Sequence, residues 1–282
     1  MASLEQGWQG LGVADGAQLP MVALLDEQWA SLAGLGAELS SDEWDLPTEC
    51  PGWTVRDLYS HMIGTERSML GDPAPPPAPD FPHIHNPIGS ENEAWVEARR
   101  GRSGHQVLEE FRHVTAMRLR QLEAMTAEEL EADASSPIGV VPYREFLSVR
   151  VMDCWVHEQD ARLSTGRPGH SQGPAAQLAF DRLVSAMPFV VAKQAAAPDG
   201  SSVRFELGGT PGRRIEVVVR AGRATAEAVA RPTVVLRMDA EIFWRLACGR
   251  VDGDAARTAG LVGIEGDEAL GRTVVRSMAF MI

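Results

Sequence analysis

A chain of 282 residues is long enough to bury a core and to form one large domain or two ordinary ones. Hydrophobic residues make up 44% and charged residues 23%, the mix of a globular protein. The formal net charge of −13 argues against nucleic acid and against an anionic membrane surface as partners, since both are recognised through Lys and Arg. Cys50, Cys154 and Cys248 are odd in number and widely spaced, so no disulfide framework is expected and a reducing, cytoplasmic setting is. Residues 1–8 show neither the basic cluster nor the apolar run of a signal peptide. No stretch is read as reaching the roughly 18 to 20 apolar residues that cross a bilayer.

Residues 1–18 are Gly-rich and weakly patterned and read as a loose arm. From Leu19 to Leu39 the apolar residues Met21, Leu24, Leu25, Trp29, Leu32 and Leu35 recur at spacings that fit an amphipathic helix. Residues 40–43 read as a break and a new helical turn, and Pro47, Pro51 and Gly52 as an irregular turn. Thr54, with Asp57 three residues on, starts a second helix to about Leu70. It directs Leu58, Met62 and Met69 to the core and carries His61 in its middle. The Pro-rich residues 71–87 predict a semi-extended surface connection.

Glu91 to Met125 predicts a third helix, broken near Gly101 and Gly104, with Trp95, Val107, Leu108, Phe111, Val114, Leu119 and Leu122 inward. Residues 126–142 read as a connector. A fourth helix runs from Tyr143 to Leu163 and ends before Gly166-Arg167-Pro168-Gly169. A further helix, Ala175 to Ala195, is expected to kink at Pro188. After Pro198 the period shifts from 3.6 to 2. Val203–Leu207, Ile215–Val219, Ala224–Ala230, Val234–Met238 and Leu261–Glu265 read as strands. Asp239 is expected to cap a short helix, Ala240–Cys248, and a closing helix starts near Gly266 and Asp267. The expected organisation is a helical domain over 19–197 and a smaller α+β domain over 198–282.

The chemistry centres on Arg150–Arg162. Asp153 and His157 are four apart, so on a helix they stack on one face. A carboxylate and an imidazole in that arrangement suit a divalent ion but do not complete a site. His61, on a separate helix, is the candidate third ligand, because facing helices of a bundle project side chains inward. Three ligands leave open positions, as a catalytic zinc site requires, although these ligand types suit several ions. The plainer reading is a solvated Asp–His pair and a hydrogen-bonded core histidine. His83 and His85, in the Pro-rich loop, either close a metal site or are exposed. Cys154 lies about 100° around the helix from Asp153 and is a poor co-ligand. Glu66 either reaches the edge of the site or pairs at the surface with Arg67 or Arg102. Asp160 either orients a ligand as hydrogen-bond acceptor or belongs to a charged helix end near Arg162. There is no Gly-rich phosphate loop of useful specificity and no recognisable Ser/His/Asp signature.

The segment Glu49–His61, with the sequence ECPGWTVRDLYSH, resembles the second-helix motif of mycothiol-dependent maleylpyruvate isomerase-like proteins, which are DinB-like metal-binding bundles. Arg150–Arg162, followed by Gly166–Gly169, is similar to their fourth-helix motif. Val235–Asp239, Trp244–Asp252 and Gly263–Asp267 resemble the sterol-carrier-like domain appended to them. The resemblance implies a DinB-like four-helix bundle followed by a smaller sterol-carrier-like α+β domain. It also implies a divalent metal, usually zinc, on His61, Asp153 and His157, with mycothiol as thiol cosubstrate. A metal-bound thiolate would then attack a small electrophile, giving S-transfer or cis–trans isomerisation. The implied partners are that electrophile and the low-molecular-weight thiol. Two other readings use the same residues or the same fold: a non-enzymatic small-molecule or lipid-binding protein, and a metal-dependent hydrolase using a metal-activated water.

Overall fold

The structure is a computed structural model that describes residues 21–79, 81–136 and 139–281. The arm expected over 1–18 lies outside the described residues. Two compact units divide the chain between Ala179 and Phe180.

In the first unit, α1 (Met21–Glu38) is followed by a 3-10 turn (Glu43–Asp45) and α2 (Val55–Met69). Then come α3 (Pro87–Glu97), α4 (Gly104–Glu123), the short α5 (Ala127–Glu131), the hairpin β1 (Asp133–Ser136) and β2 (Gly139–Pro142), and α6 (Tyr143–Ser164). α1 packs on α4 and α6, and α2 packs on the same two helices. Their facing stripes bury Leu25, Leu32, Leu58, Met62, Phe111, Leu147 and Val151. A fully buried side chain of this kind contributes about 2 kcal/mol.

Capping decides where these helices begin. The Thr54 hydroxyl accepts the Asp57 N–H, and the Asp57 carboxylate accepts the Thr54 N–H at 2.9 Å, so α2 starts as expected. Ser103 and Gln106 make the same reciprocal cap at α4. The single broken helix expected over Glu91–Met125 is therefore two separate ones. The first already starts at Pro87, because the Asn86 side chain accepts the Gly89 N–H. Gly104 lies so close to Trp44 that a Cβ there would sit 2.0 Å from the indole. Met69, Trp95 and Leu119 are only half-buried. The hairpin within the expected connector went unread, because four-residue strands are too short to show a period.

Glu158 ties α6 to α1. It is fully buried and accepts hydrogen bonds from Gln28 Nε2 at 2.5 Å, Ser31 Oγ at 2.7 Å and Arg162 Nε at 2.7 Å. His170 Nδ1 lies 2.7 Å from its other side. Burial pushes Glu158 up, but His170, Ser31 and Arg162 outweigh it and hold its pKa below the ordinary value. The same contact, with Glu158 accepting, raises His170 above 6.5.

The second unit begins in the later half of α7 (Pro174–Ser185). Phe180 packs on Phe243 with ring centroids 5.3 Å apart, and the Arg213 guanidinium lies over Phe180 at 5.7 Å. The helix end thus joins the sheet, although the composition changes only near residue 198. α7 stops at Ser185, and Val190–Gln194 continues as a π-helical stretch. Ala186 is the turn that ends α7, and Pro188, which has no N–H to donate, lies in the single helical turn Met187–Phe189 that follows it. Contrary to the sequence reading, Pro174–Gln194 is by length and composition long and apolar enough to cross a membrane, with mean hydropathy 1.3. Of its most apolar 18 residues 61% are buried in the protein, as in a core helix.

The sheet has the order β5 (Arg223–Ala226), β4 (Arg213–Arg220), β3 (Ser202–Gly208), β6 (Val234–Asp239), β7 (Gly263–Gly266). β3 and β6 run parallel and the other neighbours antiparallel. β5 stops four residues short of Ala230. α8 (Ala240–Ala247), α9 (Gly253–Thr258) and α10 (Glu268–Arg276) accompany it. Asp239 precedes α8 but makes no side-chain cap bond, whereas Asp267 caps α10 by accepting the Leu270 N–H at 3.0 Å.

Two outcomes follow for stability. Gly104→Ala should destabilise the fold by about 1–3 kcal/mol in urea unfolding, because the new methyl must displace a buried indole. His170→Gln should cost about 1.5 kcal/mol near pH 5.5 and progressively less as pH rises. The sign follows from the raised pKa of His170: its contribution is full below 6.5 and is lost as pH climbs through the folded value.

Candidate metal centre

α2 and α6 face one another and bring His61, Asp153 and His157 together. His61 Nε2 lies 3.3 Å from Asp153 Oδ2, and His157 Nε2 lies 3.6 Å from Asp153 Oδ1. One donor atom from each of the three falls within 4.8 Å of the others. The two imidazoles meet nearly edge to face, with centroids 4.9 Å apart. Both histidines are buried, while 20% of the Asp153 side chain stays exposed, so the cluster opens to solvent on that side. The Asp153–His157 pair is not a solvated surface pair, and buried His61 meets Asp153 rather than standing apart from it.

The donor set fits a divalent cation. Zinc at about 2.0–2.1 Å from tetrahedral ligands separates those ligands by about 3.4 Å, close to the two spacings above. A cation also needs neutral imidazoles and an ionised carboxylate. Burial lowers the pKa of His61 and outweighs the attraction of Asp153, which keeps the ring neutral. Burial raises Asp153, but Arg150 and the two imidazoles overcome it and hold the carboxylate well below its usual range. Buried His61 Nδ1 has no hydrogen-bond partner.

Asp160 stands beside His157, with its Oδ2 3.3 Å from His157 Nδ1. Glu66 does not touch the three donors and is not a surface residue. It is buried and accepts from Arg118 Nε at 3.2 Å and from Arg150 Nε and Nη2 at 3.0 and 2.8 Å. Arg67 and Arg102, its expected surface partners, pair with Glu110 instead. Cys154 is buried away from the cluster, and burial pushes its thiol up. His85 is exposed. His83 docks its Nε2 3.1 Å from buried Glu93, and its ring covers Gly52, where a Cβ would strike it at 2.5 Å.

Sequence reasoning missed four residues here. Arg150 Nη1 donates to Asp153 Oδ2 at 2.5 Å, and its position one helical turn before Asp153 was the available signal. Trp53 lies against both imidazoles, with centroids 5.1 and 5.8 Å away, and donates its indole N–H to Glu93 at 2.8 Å. Glu93 anchors that indole and His83 alike. Cys50 places its thiol within 4.8 Å of a His157 nitrogen and an Asp160 oxygen. No periodicity marks the last three, because Cys50 and Trp53 sit in an irregular turn and Glu93 on a different helix.

Two family models match the chain. The mycothiol maleylpyruvate isomerase N-terminal domain covers residues 25–162, and the C-terminal domain of the same proteins covers residues 177–273. An uncharacterized protein of Mycobacterium tuberculosis strain H37Rv is 26% identical over 164 residues, 57% of this chain and 74% of that protein. The same figures hold for its counterpart in strain CDC 1551. The crystal structure of the mycothiol-dependent maleylpyruvate isomerase matches with a TM-score of 0.55 at 16% identity, covering 83% of this chain and 90% of that one. A histidine-to-alanine variant of that enzyme matches with the same TM-score and identity over 88% and 93%. At this identity the likeness shows the shared mixed helix-and-sheet fold. With both domains matched along the chain, this protein belongs to the mycothiol-dependent maleylpyruvate isomerase family, a family of enzymes.

Proposed function

We propose that the protein is a mycothiol-dependent isomerase or S-transferase that holds a divalent cation, zinc by its ligand set, on His61, Asp153 and His157. The observation that carries this reading is the convergence of two imidazole Nε2 atoms on one partly exposed carboxylate. On this reading α1, α2, α4 and α6 form the four-helix bundle of DinB-like proteins. The second unit is read as sterol-carrier-like on its sequence motifs, with a role in binding one of the small molecules.

A dication in this position favours the thiolate form of a thiol that joins it. The chain's own residues prepare for that. Burial keeps His61 neutral, so its lone pair stays available. Asp160 fixes the tautomer of His157. Arg150 keeps Asp153 ionised. Trp53 walls the imidazole side, leaving approach on the exposed side of Asp153. That thiolate would add to an electrophilic carbon of the second substrate as the carbon–carbon π pair moves onto the substrate's conjugated carbonyl; rotation about the resulting single bond and expulsion of the thiolate would return an isomer, whereas expulsion of a different leaving group with its electron pair would give S-transfer. A hydrolase would use the same donors but would not depend on thiol.

Metal content measured after zinc loading should be about one equivalent for wild type and near zero for His61→Ala and His157→Ala, with folding checked by circular dichroism. Unchanged content in both would return the histidines to a structural role. Asp160→Asn should weaken zinc binding about 10–100-fold, because the amide no longer selects the right tautomer. Turnover of maleylpyruvate or of a panel of related electrophiles should vanish when mycothiol is omitted. Turnover indifferent to thiol would favour the hydrolase.

A further inference from the structure

Behind the three donors lies a second line of charge. Tyr143, Arg118, Glu66, Arg150 and Asp153 form a continuous series of contacts from the start of α6 to the cluster, buried through its middle three members. The Arg118 guanidinium donates to the Tyr143 hydroxyl and, by Nη1, to Gln121 at 2.6 Å. Arg118, Glu66 and Arg150 are all at least nine-tenths buried, with relative exposures of 1%, 1% and 4%. Two arginines share one carboxylate, so each oxygen of Glu66 is taken by a different guanidinium. The planar fork of Arg150 is thereby held in one orientation by Nε and Nη2, and Nη1 is left to grip a single oxygen of Asp153.

The arrangement is more elaborate than ion-pair burial requires. A buried pair is satisfied by one partner of each sign, and extra buried charge costs several kcal/mol per ion unless it is paired. Here the added pair, Glu66 and Arg118, lies on α2 and α4 and serves to aim a cation on α6 at its neighbour one turn away. We infer that Arg150 is a positioning residue for Asp153, tethered by Glu66 and Arg118, and that this tether sets how strongly the carboxylate holds the cation. By gripping Oδ2, Arg150 fixes the rotamer of Asp153 between the imidazoles. This inference rests on the metal reading of His61, Asp153 and His157.

The test measures zinc affinity by chelator competition and the visible spectrum of the cobalt-substituted protein. Arg150→Met should raise the zinc Kd about 10–100-fold and shift the cobalt spectrum. Arg150→Lys should restore part of the affinity, since it keeps the charge but not the fork. Glu66→Gln, which leaves Arg150 present but untethered, should move both readouts in the same direction by less. The double variant should bind no more weakly than Arg150→Met, because the two side chains act in series. A merely structural role would lower the melting temperature without moving the Kd or spectrum of folded protein. Wild-type Kd and spectrum in folded Arg150→Met would overturn the inference. If that variant does not fold, unchanged values in Arg150→Lys and Glu66→Gln overturn it. Wild type that binds no zinc at all sinks the reading of the site instead.

Discussion

An ionised carboxylate inside a helical core is tolerable only with a cation or several donors against it, and α6 carries two such groups, Asp153 and Glu158, with the buried carboxyl of Asp160 close by. Each costs several kcal/mol if left alone, far more than any one apolar contact returns. Asp153 meets Arg150 and two imidazoles, Glu158 meets Gln28, Ser31, Arg162 and His170, and Asp160 meets His157. The first two sets reach across to α2, to α1 and to the segment after α6. Satisfying these carboxylates fixes how α6 sits among its neighbours, while the Leu, Phe and Val stripes supply most of the net stability. Apolar packing alone tolerates small slides between helices; a buried hydrogen-bonded charge does not.

The site inherits this rigidity. His61 and Asp153 come from different helices, yet their facing atoms lie 3.3 Å apart. The protonation states follow from the same surroundings. Burial removes the proton from His61, and the guanidinium of Arg150 keeps it off Asp153. A neutral His61, an ionised Asp153 and a second imidazole beside a partly exposed edge are a donor set that suits a cation with a free position. The Trp53–Glu93–His83 contacts close the flank on the imidazole side. The Pro-rich segment is therefore anchored at one point by a buried acid rather than lying loosely on the surface.

The second unit follows a different logic. β3 buries Val203, Phe205 and Leu207 at alternate positions, β4 and β6 each bury three residues in a row, and β3 and β6 run parallel within an otherwise antiparallel sheet. Phe180, from the end of α7, packs against Phe243 of α8, so an aromatic contact rather than a change in composition sets where this unit begins.

Much of this was legible from the sequence. Spacing placed α1, α2, α6 and the central strands, because period 3.6 and period 2 are printed directly in the order of apolar residues. Thr54 with Asp57 marked the start of α2, because capping is local. The i and i+4 spacing put Asp153 and His157 on one face, and bundle geometry offered His61 as the third ligand before the family motifs pointed to the same residue. What only the tertiary structure decided was what stands against each charge. Nothing in the local sequence says that Glu66 pairs with Arg118 and Arg150 rather than with Arg67 or Arg102. Nor does it say that Trp53 shields the imidazoles, or that the single helix expected over Glu91–Met125 is two. These outcomes depend on contacts between residues tens of positions apart. Charge pairing in a low-dielectric interior is settled by which helices meet and at what register, and periodicity describes one helix at a time.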